Sequence, residues 1–293
     1  MDRRNKISKG LSGIKERVST ELEYEKPKGF VVGFVPACEF VENGEIIANL
    51  AYVIAGRSYT VCVVDFKVFF PNLFDWLGGV NSNQKGEGLI RLFHSDRTEI
   101  KDVSQKTNSE QVFLISPSPN DNIEDYLNFS IEDVKRVILL LKEAFDVVLI
   151  DIPNNPPLEF CLGALMNCQR GFFVASERVD ALRNIQKLSD FALKVTDNIT
   201  SFNGIILSRQ QEFNYDINAL SSIEMKVDDR KKDKTKDDIK KNKLRVVAKI
   251  PFIKAAQGCA LDGQVYIRDA SFANKVFTRE ISKLANIVLE VSS

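Results

Sequence analysis

The sequence lacks a net charge, a long apolar run and paired cysteines. Forty Lys/Arg residues balance 40 Asp/Glu residues, so no global field attracts nucleic acid or an anionic membrane, and such a contact must be local. No apolar run reaches the length of a membrane span, and "MDRRNKISKG" has no apolar signal region. The five cysteines show no CxxC spacing, which is typical of reduced thiols. We therefore expect a cytoplasmic protein without a disulfide framework or a zinc site.

Short apolar runs alternate with longer segments of helical period. The predicted strands are Phe30–Val35, Thr60–Val64, Val112–Ile115, Val147–Ile150, Gly171–Val174, Gly204–Leu207 and Val246–Ile250. Most are unbroken, which is typical of strands covered on both faces. The segment Ile131–Phe145 predicts an amphipathic helix with Ser130 as N-cap. This pattern predicts an α/β fold, a doubly wound, mostly parallel sheet flanked by helices, with ligands at the carboxyl ends of the strands.

Two segments fall outside the pattern of a single α/β domain over residues 29–293. The N-terminal extension, residues 1–28, places Ile7, Leu11, Ile14 and Val18 at the spacing of a short amphipathic helix, which either packs on its own domain or contacts a membrane or partner. The insert at 224–245 contains Lys226–Lys243, with nine Lys/Arg and five Asp. We predict a solvated, mobile insert; the alternative is a local contact with nucleic acid or an acidic partner.

The stretch "GFVVGFVPACEFVENGEIIANLAYVIAGRSYTVCVVD" has the strand, loop, helix and strand of a phosphate site. Hydrolysis of a nucleoside triphosphate requires a glycine-rich loop, a lysine, a hydroxyl for Mg²⁺ and a strand-end Asp. This loop has one glycine, Gly44, and no lysine lies between Lys28 and Lys67. Asp65 and Asp151 each end an apolar strand. For both acids, strand-end capping and a role in a site remain open.

The chain from Phe30 to Leu289 resembles the ParA/MinD family of deviant Walker A ATPases. The run "IANLAYVIAGRSYTVCVVDFKVFFPNLFDWLG" is similar to the family's N-L-A helix, its strand into D-x-D, and its P-N-L and L-G. The segments "GLIRLF", "VFLISPSP", "FDVVLIDIP", "GIILSR" and "IPFIKAAQGCALDGQVYI" resemble later family segments in the same order. The resemblance implies the P-loop NTPase-like fold of this family.

The family's nucleotide pocket maps onto unusual residues. The degenerate pocket comprises Cys38, Glu39, Val41, Glu42, Asn43, Gly44, Glu45, Asp65, Lys67 and Asp151, with Ser208, Arg209 and Pro251 on the adenine side. By this resemblance Cys38 occupies the position of the family's signature lysine, and Asn43 occupies that of its Walker lysine. Gly44 occupies the position of the Mg²⁺-binding threonine, Lys67 that of the second acid of D-x-D, and Ser208 that of the adenine-side asparagine. Only the loop valine is retained, as Val41.

These replacements predict a site that does not hydrolyse ATP. Glu39, Glu42 and Glu45 would repel a triphosphate, each by roughly a few kcal/mol at surface-like dielectric. The resemblance therefore implies a non-catalytic positioning or scaffold protein of a cell-envelope, pilus or secretion, or partitioning machinery, closest in character to the TadZ/CpaE-like branch. We expect no catalytic residue and no cofactor, but protein partners, with a homodimer left open and a location in the cytoplasm or at the inner face of the membrane. The alternative is an atypical ATPase that uses ATP and Mg²⁺, the ion on Asp151.

Lys67 follows Asp65 by two residues. In the implied fold it would lie near Asp65 and Asp151 and could neutralise them in place of Mg²⁺. We predict that its ammonium lies within ion-pair range of Asp151 or a loop glutamate. The other interpretation is a lysine that points to solvent after its strand.

Overall fold

The structure is a computed structural model of the 293-residue chain. It describes residues 28–37, 41, 43–77, 88–94, 100–176, 179–196, 201–210, 244–268 and 274–290. Cys38, Glu39, Glu42 and Lys226–Lys243 lie outside the described residues, as do all but the last residue of the predicted N-terminal extension. The predicted domain organisation therefore stays a prediction.

In the described part of the chain, eight strands form one sheet. They are β1 (Phe30–Pro36), β2 (Val61–Asp65), β3 (Gln105–Lys106), β4 (Val112–Ile115), β5 (Val147–Asp151), β6 (Arg170–Ala175), β7 (Phe202–Gln210) and β8 (Arg245–Pro251). Their order is β3-β4-β2-β5-β1-β6-β7-β8, and every neighbouring pair is parallel except β3 and β4. The mostly parallel sheet is as predicted. The antiparallel edge strand β3 was not, because two polar residues carry no periodic signal.

In the described residues, helices lie between the parallel strands, and the connection from β7 to β8 is outside those residues. The α-helices are α1 (Gly44–Ala55), α2 (Leu73–Leu77), α3 (Leu89–His94), α4 (Ile100–Val103), α5 (Ile131–Ala144), α6 (Leu158–Asn167), α7 (Val179–Val195), α8 (Lys254–Leu261) and α9 (Lys275–Glu290). Two short 3₁₀ helices cover Ile123–Asn128 and Tyr266–Arg268. Among the described helices, none is long and apolar enough to cross a membrane.

The predicted helix after Ser130 begins with a capping box. The Ser130 hydroxyl accepts from the backbone N–H of Asp133, and the Asp133 carboxylate accepts from the backbone N–H of Ser130. These reciprocal bonds satisfy two donors at the start of α5. The helix ends at Ala144, one residue earlier than predicted, because Phe145 turns to extended backbone and becomes buried.

The unbroken apolar strands lie in the middle of the sheet. Every residue of β1, β2 and β5 is buried, which explains why their sequences do not alternate. β2 and β5 are paired in a register that places Asp65 opposite Asp151 at their carboxyl ends. The sheet therefore brings the two predicted strand-end acids together.

Helix α1 is fixed above this edge by a buried side chain. The Asn49 amide donates to the carbonyl of Glu45 at 2.7 Å, and its oxygen accepts from the backbone N–H of Ile267 at 2.9 Å. Asn49 is fully buried, so both bonds form away from water. They tie α1 to the 3₁₀ helix Tyr266–Arg268 and set the position of its first turn.

Candidate functional site

The candidate site is built around two buried carboxylates, Asp65 and Asp151. Both side chains have 0% exposure. Burial raises the pKa of both, and the neighbouring charge of Asp151 contributes to raising the pKa of Asp65 to about 7. Two acids held together away from water require a compensating cation.

Lys67 supplies that cation. Its Nζ lies 2.6 Å from Oδ2 of Asp151, and its side chain is 12% exposed. The ammonium favours the charged form of Asp151 and opposes the effect of burial on the pKa of that acid. The predicted ion pair is confirmed, and the interpretation of Lys67 as a solvent-pointing lysine is wrong.

Asn43 binds the second oxygen of Asp151. The Asn43 amide donates to Oδ1 of Asp151 at 2.8 Å and lies 3.3 Å from the carbonyl of Phe34. Asn43 immediately precedes α1 and is fully buried. The resemblance places the Walker lysine here; the chain has a neutral amide instead, and that amide contacts protein. Both oxygens of Asp151 therefore have partners within the chain.

Asp65 organises the loop that carries Lys67. One carboxylate oxygen accepts from the backbone N–H of Lys67 at 3.0 Å. The other accepts from the backbone N–H groups of Asn72 and Leu73 at 2.9 and 3.0 Å. One acid thus fixes both ends of the loop 66–72. Strand-end capping and a role in the site are combined in Asp65, because the capped loop directs Lys67 to Asp151.

The indole of Trp76 fills the space beside the first residue of α1. A Cβ added to Gly44 would lie 2.4 Å from Cδ1 of Trp76 and 2.9 Å from the side-chain oxygen of Asn72. Contacts this short do not occur with real side chains, so glycine is required by the close approach. Sequence reasoning missed Trp76. Two features of the sequence could have pointed to this contact: Gly44 stands where the family has threonine, and the chain's single tryptophan lies in "FDWLG".

On the other side of α1, Glu45 faces Arg209. Oε2 of Glu45 lies 3.6 Å from Nε of Arg209, and the acid is 3% exposed. Arg209 has a φ of 53° and its guanidinium carbon lies 5.9 Å from the ring centre of Phe252. Glu45 is therefore buried in an ion pair, whereas the sequence predicts an acid facing the phosphate position.

The remaining predicted residues flank this arrangement. Val41 and Ser208 are buried, and Pro251 is half-buried. Ser208 and Arg209 lie at the carboxyl end of β7, whose last residue pairs with Pro251 of β8. The structure thus brings the predicted adenine-side residues to the same edge as Asp65 and Asp151.

Comparisons with known proteins identify the architecture. No protein-family model matches the chain, and no curated protein is significantly similar to it in sequence. A ParA family ATPase from Chlorobium tepidum superposes with a TM-score of 0.67 at 20% identity, covering 88% of this chain and 98% of that one. The chain has the ParA/MinD fold. The septum site-determining protein MinD of Pyrococcus horikoshii, complexed with Mg-ADP, gives 0.66 at 18% identity, covering 90% and 97%. The MinC:MinD complex of Aquifex aeolicus gives 0.66 at 15% identity, covering 89% and 96%.

The residues present do not fit the Mg-nucleotide that this ParA/MinD fold implies. Asp151 is engaged by Lys67 and Asn43, and Gly44 has no hydroxyl. The described residues contain no group of three His, Cys, Asp or Glu side chains that could hold a metal ion.

Removing the Lys67 ammonium should destabilise the protein. We expect Lys67→Met to lower the free energy of unfolding by about 1–3 kcal/mol, because a buried carboxylate loses its cation. Lys67→Met combined with Asp151→Asn should recover at least half of that loss, since the stranded charge is gone. Urea denaturation of the four proteins of this double-mutant cycle measures the coupling.

Lys135→Met, at an exposed lysine on α5, is the matched control and should change stability by less than about 0.5 kcal/mol. A neutral Lys67→Met variant, or a double variant whose losses simply add, would contradict the role of this ion pair.

One substitution at two glycines should have opposite effects. Gly44→Ala should lower stability by about 1–3 kcal/mol, because the new Cβ collides with Trp76. Gly258→Ala in α8, where a Cβ meets open space, should raise stability by up to about 1 kcal/mol through helix propensity. Adding Trp76→Phe should recover part of the Gly44→Ala loss. Thermal unfolding distinguishes these cases, and two glycines that respond alike would show that Trp76 does not close the site.

Proposed function

We propose that this chain is a nucleotide-independent positioning or scaffold protein built on the ParA/MinD fold. It acts through protein partners in a machinery of the cell envelope, of pilus assembly or secretion, or of partitioning. Within that range we propose a localisation protein similar to the TadZ/CpaE branch. The observation that carries the proposal is the 2.6 Å ion pair between Lys67 and Asp151, which places an internal cation where a nucleotide site would need an external one.

The chemistry of phosphoryl transfer supports this proposal. Its transition state is stabilised by positioned cations and backbone donors, and little else is available to the protein. Here the ammonium nearest the two acids is already bound to Asp151. Because the pKa of Asp65 is raised to about 7, the cluster of Asp65, Asp151 and Lys67 has a charge between 0 and −1 near neutral pH, so it offers no net positive charge to a phosphate. The group that resembles a catalytic acid therefore serves the fold.

The names of the structural relatives support a positioning role. One is a septum site-determining protein, and another is a MinC:MinD cell division complex, in which MinD has a protein partner. Fold likeness at this identity does not carry function, so localisation, protein partners and a homodimer are proposals for this chain.

Purified protein should neither bind nor hydrolyse Mg-ATP. A ligand that binds the folded state stabilises it by about 2.7 kcal/mol at a hundredfold excess over its Kd, so a thermal titration with Mg-ATP should show no shift. Phosphate release should equal that of buffer in both the wild type and Asp151→Ala. Turnover that disappears in Asp151→Ala would instead establish the atypical ATPase that uses ATP and Mg²⁺.

A fluorescent fusion should occupy a discrete position in cells of the native host. The same position should persist in the variant that combines Lys67→Met and Asp151→Asn, because localisation does not use the chemistry of the closed site. A diffuse wild-type fusion at normal abundance would contradict a positioning role. Loss of the focus in the double variant alone, at equal protein level, would contradict nucleotide independence.

A further inference from the structure

Exposed apolar side chains are concentrated on three neighbouring segments. Of the ten large apolar side chains that are exposed in the described residues, five lie there: Phe69, Phe70, Ile123, Leu127 and Leu158. Phe70 is 74% exposed, Leu127 60% and Leu158 53%. The segments follow the carboxyl ends of β2, β4 and β5, which are adjacent in the sheet. We refer to these five residues as the Phe70 surface.

A buried ring joins the three segments. Phe160 lies two residues after Leu158, and its ring centre is 5.4 Å from that of Phe66 and 6.0 Å from that of Tyr126. Phe66 begins the loop 66–72, and Tyr126 lies in the 3₁₀ helix between Ile123 and Leu127. The elements that expose the Phe70 surface therefore pack on one buried residue, which holds them together at this edge of the sheet.

The backbone beneath the Phe70 surface is fixed. Asp65 accepts hydrogen bonds at both ends of the loop 66–72, as described above. The Tyr126 hydroxyl donates to the carboxylate of Asp121, which also accepts from the backbone N–H of Ser118. The exposed side chains are thus presented on an ordered framework, which lowers the entropic cost of binding a partner. Exposed apolar side chains grouped on neighbouring segments mark interaction sites.

The three segments that expose the Phe70 surface carry mostly acidic residues. Residues 66–77, 118–130 and 154–160 contain five acids: Asp75, Asp121, Glu124, Asp125 and Glu159. Their basic residue is Lys67, which is paired with Asp151. Glu124 and Asp125 are exposed within the same 3₁₀ helix as Leu127. An apolar patch with an acidic rim is complementary to apolar side chains flanked by cations.

We propose that the Phe70 surface binds a segment of a partner protein that presents apolar side chains flanked by lysine or arginine. An anionic membrane would be repelled by the acids. A two-fold dimer through this face would place the same acids opposite each other, at a cost in affinity. This inference rests on the proposed function in that a positioning protein acts through a partner, and it names the chemistry of that partner.

Site-specific photocrosslinking in the native host tests the proposal on the full chain. Benzoylphenylalanine is placed at Phe70 and, as a matched control, at Met166, which is 54% exposed on α6 at the end opposite Leu158. Adducts are digested and the crosslinked peptide is sequenced by mass spectrometry. We expect at least a fivefold enrichment at position 70 of one peptide that contains apolar residues and Lys/Arg.

Charge-neutralising variants test the acidic rim. Glu124→Gln with Asp125→Asn should lower the yield of this adduct at least threefold, whereas Glu143→Gln, at the far end of α5, should leave it unchanged. Circular dichroism and thermal unfolding verify that each variant is folded. Peptides are then synthesised from the crosslinked sequence with either lysine or glutamate at the basic positions. Fluorescence anisotropy should show that the lysine peptide binds the purified protein and that the glutamate peptide does not.

Four results would overturn the proposal: no adduct enriched at position 70, an adduct with a second copy of this chain, an adduct with lipid, or an acidic crosslinked peptide. Failure here is distinguishable from failure of the proposed function. The crosslink identifies what touches the Phe70 surface, whereas the Mg-ATP titration reports on the closed site around Asp151.

Discussion

The burial of Asp151 is the constraint on which this edge of the sheet depends. An ionised carboxylate removed from water is costly unless cations and donors replace its hydration. Lys67 and Asn43 supply both, and they come from different directions: the lysine from the loop after β2, the amide from the start of α1. Satisfying one acid thus fixes the relative positions of a strand end, a loop and a helix.

The fold and the central ion pair could be predicted from the sequence because both follow from short-range rules. The stretch Phe30–Pro36 has no polar residue, which a strand covered on both faces allows. Parallel neighbours end at the same edge, so acids at the ends of β2 and β5 had to meet, and a lysine two residues after Asp65 could reach them. The capping box at Ser130 is local for the same reason.

Other parts of the site depend on where distant side chains pack, and no local pattern encodes that. Trp76 reaches Gly44 because α2 lies beside the first turn of α1. Glu45 forms an ion pair with Arg209, which lies at the end of β7 and has a positive φ, a conformation uncommon for a residue with a side chain. The sequence suggested an acidic mouth; tertiary contacts turned one of its acids inward.

The contact between Gly44 and Trp76 couples the residues that evolution can place at these two positions. A threonine at position 44 would bring a hydroxyl to the start of α1, but its Cβ would collide with the indole before the hydroxyl could serve any ligand. Shortening Trp76 first would open a cavity in the core, at a cost of about 3–5 kcal/mol for a change to alanine. Changing Gly44 while Trp76 is present lowers stability, and so does shortening Trp76 while Gly44 is present. Because of this mutual dependence, an epistatic constraint, a change at either position is disfavoured until the other position has changed.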